Sequence, residues 1–292
     1  MTVLSLDVAF AMTSEIPMPM ACAGDGAALM RLQVNRKYQA APQITVFELT
    51  PPPGTALPAF EAGAHVVVLT PSGATRRYSL CNAPGEVQRY VLAIQRDAQG
   101  LGGSVSMVDG LQEGDSVSVS RPENYFPLAS DGTQALLIAG GIGITPILAM
   151  VHSLKARGCA IHLIYCTKEP ACTAFLDELT ALAAAGVLRL TLHHSYGVAD
   201  QRMDLSPWLA QAASGTHVYC CGPRSLMQSV RDLTRHWPPA QLHFEDFGTR
   251  QNTPAPMAPD RSFVVCLSRQ NRRVVVAAVQ SRVKRSSPEN SR

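Results

Sequence analysis

The chain of 292 residues lacks any long apolar run. Its longest, such as 135–139 and 161–165, fall far short of the roughly 20 residues that a membrane span requires. It also lacks a strong charge of either sign. The formal net charge is +3, and the basic residues do not gather with aromatics into a groove, so nothing supports nucleic-acid binding. The first ten residues have no basic n-region, so a secretion signal is not expected. Cys22, Cys81, Cys159, Cys166, Cys172, Cys220, Cys221 and Cys266 show neither the paired spacing of a zinc site nor a small-scaffold disulfide pattern. No metal-ligand set is expected, and scattered reduced thiols point to the cytoplasm. What is present is ordinary for a folded protein: 46% hydrophobic and 16% charged residues, on a chain long enough for two domains with real cores.

Residues 1–27 are small, Met-rich and aperiodic, and read as an unfolded leader. Between 30 and 120 come short apolar or alternating runs at 31–35, 44–49, 65–70, 76–80, 90–95 and 116–120, broken by glycine and proline. Their spacing predicts an antiparallel six-stranded barrel over 28–130. From 135 the rhythm changes to strand then helix, at 160–166 with 175–185 and at 216–220 with 225–235. The run at 188–193 is followed by a short loop segment. That alternation predicts a doubly wound parallel sheet over 131–247. A proline-punctuated linker at 248–261 leads to two apolar runs, 263–267 and 274–279, that make one hairpin, and the chain then turns polar.

The stretch 135–147 reads as a buried strand, a glycine turn and a helix start, with Thr145 as cap and Pro146 as first helical residue. Gly140, Gly141 and Gly143 lie at the turn. Glycine permits positive φ and close backbone approach, and a helix N-terminus favours an anion such as a pyrophosphate. The spacing Gly-Gly-x-Gly-x-x-Pro is not the dinucleotide fingerprint, so a merely tight strand-to-helix turn is the other reading. In the barrel, Arg76-Arg77-Tyr78-Ser79 supplies a cation, a ring and a hydroxyl, the three groups a flavin needs. An ordinary strand with an exposed arginine pair is the alternative. Gly102-Gly103-Ser104 ends a glycine-rich turn leading into 105–108, a backbone nest suited to phosphate or the polar flavin edge.

Six motifs in one order carry a resemblance: Arg77-Tyr78-Ser79-Leu80, Gly102-Gly103-Ser104, Asn124-Tyr-Phe-Pro-Leu128, Gly140-Gly-Ile-Gly-Ile-Thr-Pro146, Cys221-Gly222-Pro223 and Phe244-Glu-Asp-Phe247. Over about 30–247 the chain resembles the phthalate dioxygenase reductase group of the ferredoxin–NADP reductase superfamily. The resemblance implies a flavin-binding barrel and a nucleotide-binding α/β domain that pass electrons from NADH through FMN. The acceptor it implies is a terminal oxygenase or a separate ferredoxin. Arg77, Tyr78 and Ser79 would contact FMN, Gly102, Gly103 and Ser104 would help to hold its phosphate and ring, and Phe247 would lie near it. The 140–146 turn would carry the nicotinamide pyrophosphate. The thiol of Cys221 would sit beside the nicotinamide, which with Ser79 makes it an expected catalytic group, although a buried small hydrophobe is the other reading of that cysteine. The short segment 82–89 agrees with FMN rather than FAD. Glu169 argues for a free ribose 2′-hydroxyl, so for NADH, and Lys168 argues against it.

The family also carries a plant-type 2Fe–2S domain with a Cys-x4-Cys-x2-Cys spacing and a distant fourth cysteine. Cys266 is the one cysteine after the linker, so its cluster ligands are absent and residues 262–292 are expected to be an incomplete remnant of that domain. A monomer is expected. The second functional reading is a non-catalytic flavin- or nucleotide-binding remnant, cut off from its oxygenase.

Overall fold

The computed structural model describes residues 29–247 and two further strands, Phe263–Leu267 and Arg272–Val276. The expected leader, the linker and the polar tail after the second of these strands lie outside the described residues.

The antiparallel sheet contains β1 (Met30–Ala41), β2 (Ile44–Thr50), β3 (Ala64–Leu69), β4 (Thr75–Ser79), β5 (Tyr90–Gln95), β6 (Ser116–Val119) and β7 (Glu123–Asn124). Their order is β4-β3-β6-β1-β2-β5, with the two-residue β7 added on β3. A single bridge between Leu80 and Leu92 joins the two ends and curls the sheet into a barrel. Six strands are those expected and the seventh is new. β1 is also much longer than expected, since Arg36, Lys37, Tyr38 and Gln39 pair with Glu48, Phe47, Val46 and Thr45. Those four side chains are not buried, so no apolar alternation marks them as a strand. Val34, Phe47, Leu49, Val66, Val68, Leu80, Leu92, Ile94 and Val119 fill the barrel with no exposure.

After β5 comes a short helix α1 (Gly103–Val105) that runs into a π-type turn over Ser106–Gly110. The parallel sheet then contains β8 (Gln134–Gly140), β9 (Ala160–Thr167), β10 (Arg189–His194), β11 (Thr216–Cys221) and β12 (Leu242–Glu245), in the order β10-β9-β8-β11-β12. Its helices are α2 (Ile144–Ala156), α3 (Leu176–Ala184), α4 (Ser206–Leu209) and α5 (Arg224–Leu233). β8 is apolar on both sides because both sides are covered. Leu137 and Ala139 pack with Ile144, Ile147 and Leu148 of α2, whereas Leu136 and Ile138 pack with Leu209 of α4 and Met227 and Val230 of α5.

The two sheets share a core. Ile44, Val46, Cys81, Val91 and Ala93 of the barrel side belong to one apolar cluster with Leu137, Ile144, Leu148 and Tyr165. Together they form one compact unit that ends at Phe247. The connection between the sheets is pinned where Ala129 N–H donates to the Tyr219 hydroxyl at 2.8 Å and Arg157 donates to the Ala129 carbonyl at 3.0 Å. Beyond it, β13 (Phe263–Leu267) and β14 (Arg272–Val276) form an antiparallel pair with Phe263 opposite Val276. This is the expected hairpin, with its second strand beginning at Arg272 instead of residue 274.

Candidate active site

β4 lies at the end of the sheet path. Among the described residues its outer edge pairs with no strand except through the bridge at Leu80, so a row of backbone groups is left free beside the most polar sequence of the barrel. Side chains alternate across a strand, which divides the motif in two. Tyr78 and Arg76 lie opposite Val66 and Val68 on the barrel-core face, and Ser79 and Arg77 lie opposite His65 and Val67 on the other. The Tyr78 hydroxyl and the Ser79 Oγ are both buried without a hydrogen-bond partner. Burial pushes the Tyr78 hydroxyl up to about 12, so it stays protonated and able to donate.

The alternation sends Arg77 the other way. Its guanidinium is exposed and lies 5.9 Å from the Tyr125 ring, on the face away from the glycine turn. Arg76 packs on that turn, because a β-carbon on Gly103 would lie 2.8 Å from Arg76 Nε. Gly102, at φ 80°, adopts a backbone that L residues rarely take and frees the start of α1 beside Arg76. Ser104 Oγ accepts from Asp97 N–H at 3.0 Å and braces the loop. At the far end of the π-turn, Lys37 Nζ donates to the Val108 and Leu111 carbonyls at 2.8 and 2.6 Å, and the Arg96 guanidinium donates to both carboxylate oxygens of Asp109. The Leu80 side chain is in the barrel core with no exposure.

At the parallel sheet, Gly140, Gly141 and Gly143 do three different things. Gly141, at φ 54°, has open space where a β-carbon would go. Gly140 faces Pro223 Cδ, 2.6 Å from where its β-carbon would be, and a β-carbon on Gly222 would lie 2.9 Å from Gly140 Cα, so the two turns meet backbone to backbone. A β-carbon on Gly143 would collide with the Cys221 carbonyl. Thr145 is not the cap. Gly143 caps α2, and the buried Thr145 hydroxyl, inside the first turn, donates to the Ile142 carbonyl at 3.0 Å. Pro146 is buried in that turn. The Tyr165 hydroxyl of β9 donates to the Gly141 carbonyl at 3.1 Å and props the turn.

Cys221 is buried with no exposure, and burial raises its thiol far above the usual range, which keeps it neutral. Beside it, by strand register, lies Glu245. One oxygen of this carboxyl is buried without a partner, and burial pushes the group up to about 7. Phe247, two residues on, is 44% exposed. Cys221 and Glu245 thus stand at the carboxyl ends of adjacent parallel strands, where ligands of open α/β sheets bind.

An oxidoreductase NAD-binding domain model matches residues 137–232. The phthalate 4,5-dioxygenase oxygenase reductase subunit of Pseudomonas putida is 48% identical over 239 residues, 82% of this chain and 72% of that protein. Phthalate dioxygenase reductase of Burkholderia cepacia is 45% identical over 80% of this chain and 74% of its own. The chain belongs to the phthalate dioxygenase reductase family. A solved phthalate dioxygenase reductase, described as a modular structure for electron transfer from pyridine nucleotides to a 2Fe–2S centre, superposes with a TM-score of 0.73. Its identity is 43% over 87% of this chain and 78% of that one. The reductase is accordingly an NAD(P)H-dependent flavin oxidoreductase, not a remnant that merely retains a nucleotide fold. Its residues fit a flavin on grounds of their own, since Tyr78 and Ser79 offer buried, unpartnered hydroxyls on either side of a free strand edge. No helix among the described residues is long and apolar enough to cross a membrane.

Sequence reasoning placed Arg76 in the flavin motif but gave the contact to Arg77, and it assigned no role to Tyr165 or Glu245. Period-two alternation in β4 already pairs Arg76 with Tyr78. Tyr165 and Glu245 had no local signal, because their roles depend on which strands lie side by side.

Proposed function

We propose that the reductase takes hydride from NADH onto FMN and delivers single electrons to a terminal oxygenase of the Rieske type, or to a separate ferredoxin. The observation that carries this reading is the pair of unpartnered hydroxyls, Tyr78 and Ser79, at the free edge of β4 beside the Arg76–Gly103 contact. In this reading Arg76 holds the flavin phosphate at the start of α1, with Gly102, Gly103 and Ser104 around it, and Tyr78 and Ser79 orient the ring. The bound flavin supplies the chemistry that divides a two-electron hydride into single electrons. Gly141 leaves room for the pyrophosphate to approach the backbone, with Gly140, Gly222 and Pro223 shaping the cleft. Cys221 presents a small neutral wall to the nicotinamide, and Glu245 holds a proton near neutral pH beside it. Phe247, exposed at the end of the unit, covers the flavin.

FMN is favoured over FAD because residues 82–89 are short and tied down. Asn82 bonds the Arg89 carbonyl at 3.1 Å, and Arg89 pairs with Glu86 and with the buried Glu48. NADH is favoured by Glu169, exposed at the carboxyl end of β9 beside the equally exposed Lys168. Residues 248–292 hold one cysteine, Cys266, so these residues alone do not supply the four cysteines of a 2Fe–2S site. The scattered thiols suit the reducing cytoplasm.

The test is an anaerobic spectrum of the purified protein. A flavin that bleaches on NADH, with ferricyanide reduced at once and a Rieske oxygenase turned over only when a ferredoxin is added, supports the reading. Protein that gains no flavin spectrum from added FMN sinks it.

A further inference from the structure

His65 carries a third buried polar atom at this edge that the reading above does not use. The residue is 4% exposed, and its Nε2 is buried with no hydrogen-bond partner. In the β3–β4 register it stands directly opposite Ser79, so the two side chains project on the same face of the sheet, and Ser79 Oγ is unpartnered as well. Two unpartnered polar atoms on adjacent, paired residues leave a shared demand that no protein group meets. An unpartnered buried donor or acceptor is costly, so a ligand with complementary atoms has a ready gain there.

We propose that His65 is a flavin-binding residue, its imidazole Nε2 and the Ser79 hydroxyl together engaging the polar edge of the flavin ring. This rests on the flavin reading above. The surroundings define which form of the imidazole serves. Tyr125 packs on the ring at 5.3 Å between centroids, and its hydroxyl donates to Glu123 at 3.0 Å. Arg77 on β4 and Glu123 on β7 are the charged groups that act on the imidazole, and burial together with Arg77 outweighs Glu123 and lowers its pKa below 6.5. The ring is neutral at pH 7. A ligand that seals this face buries the ring further and favours the neutral form, so binding lowers the pKa again. Affinity is then full above the pKa of the free protein and is lost as pH falls through it.

Riboflavin is the probe, since it has no phosphate to titrate, and it is added to the full chain freed of flavin between pH 5 and 8 while its fluorescence is followed. Affinity should hold steady near pH 8 and then decline on acidification, approaching tenfold per pH unit once the imidazole titrates. His65→Gln should bind with an affinity that no longer varies with pH, and His65→Leu should bind several-fold more weakly throughout. On the unmutated protein, the NMR titration of the His65 ring should shift to lower pH when riboflavin is present. A flat affinity in the unmutated protein, a pH dependence that survives in His65→Gln, or an unmoved His65 titration each overturns the proposal while leaving flavin binding intact. Failure of both riboflavin and FMN to bind at any pH overturns the flavin reading, and this inference with it.

Discussion

The free edge of β4 and the turn after β8 both place a strand beside the start of a helix, and they are packed in opposite ways. At β4 the backbone edge is open and three buried polar atoms, on His65, Tyr78 and Ser79, lack partners. At β8 the backbone is closed on itself, with Gly140 against Gly222, Gly143 against Cys221, and only Gly141 facing open space. Under the proposed function, the barrel edge recognises a ligand by completing hydrogen bonds that the protein leaves undone. The parallel-sheet turn recognises one by shape, through the absence of side chains at a few positions. A cofactor that stays bound suits the first arrangement and a nucleotide that comes and goes suits the second, because unmet buried polar groups add affinity while a smooth backbone cleft adds little.

The contrast can be broken most forcefully at Gly143. A β-carbon there meets the Cys221 carbonyl in a backbone contact with no flexible side chain to yield, so Gly143→Ala should destabilise the fold by about 3 kcal/mol, the upper end for overpacking. A thermal midpoint unchanged from the parent would show that the two turns are not in contact.

Next in size is Glu245. Its folded pKa of about 7 lies above the ordinary carboxylate value, so the unfolded chain loses this proton more readily than the folded one. Stability from this group is full at low pH and declines as pH rises from about 4.5 to 7, by up to roughly 3 kcal/mol. Thermal unfolding at pH 5 and at pH 8 should reveal that decline in the parent and its loss in Glu245→Gln. Parallel pH profiles for the two proteins would refute the buried carboxyl.

At the barrel edge, Arg76→Ala should weaken FMN binding about tenfold or more, since a charge-assisted hydrogen bond is worth about 1.5–3 kcal/mol. NADH use by protein saturated with flavin should be little altered. The companion Arg77→Ala, which removes an exposed guanidinium from Tyr125, should change FMN affinity by less than about threefold, in line with an exposed cation–π contact. Flavin titrations that rank the two arginines the other way would restore Arg77 as the phosphate ligand.

Gly141 should give a milder effect than Gly143. Its positive φ costs a side chain about 1–2 kcal/mol, with no collision added. Gly141→Val should raise the KM for NADH and leave bound flavin in place, which steady-state kinetics and the visible spectrum report together. Loss of flavin with normal NADH kinetics would mean that the two clefts have been assigned the wrong way round.

Much of this was legible in the chain. Short alternating runs up to residue 120 and strand–helix alternation after 135 depend on local periodicity, so both sheets could be read before any contact was known. Gly140, Gly141 and Gly143, Tyr78 and Ser79 were visible for the same reason, as residue types whose chemistry is local. What the sequence left undecided was direction and neighbourhood. Period-two alternation sends Arg76 and Arg77 to opposite faces of β4, and the loop carrying Gly103 selects between them. The three glycines of one turn separate into an open position, a packed one and a colliding one only because the turn after β11 lies against them. Glu245 acquires its raised pKa from burial in the packed sheet, and His65 its place beside Ser79 from the register of the β3–β4 pair. Sequence by itself thus determined the elements and the kind of chemistry available. Burial and strand order, which arise only when those elements pack, decided which atoms are left without a partner and can take a ligand.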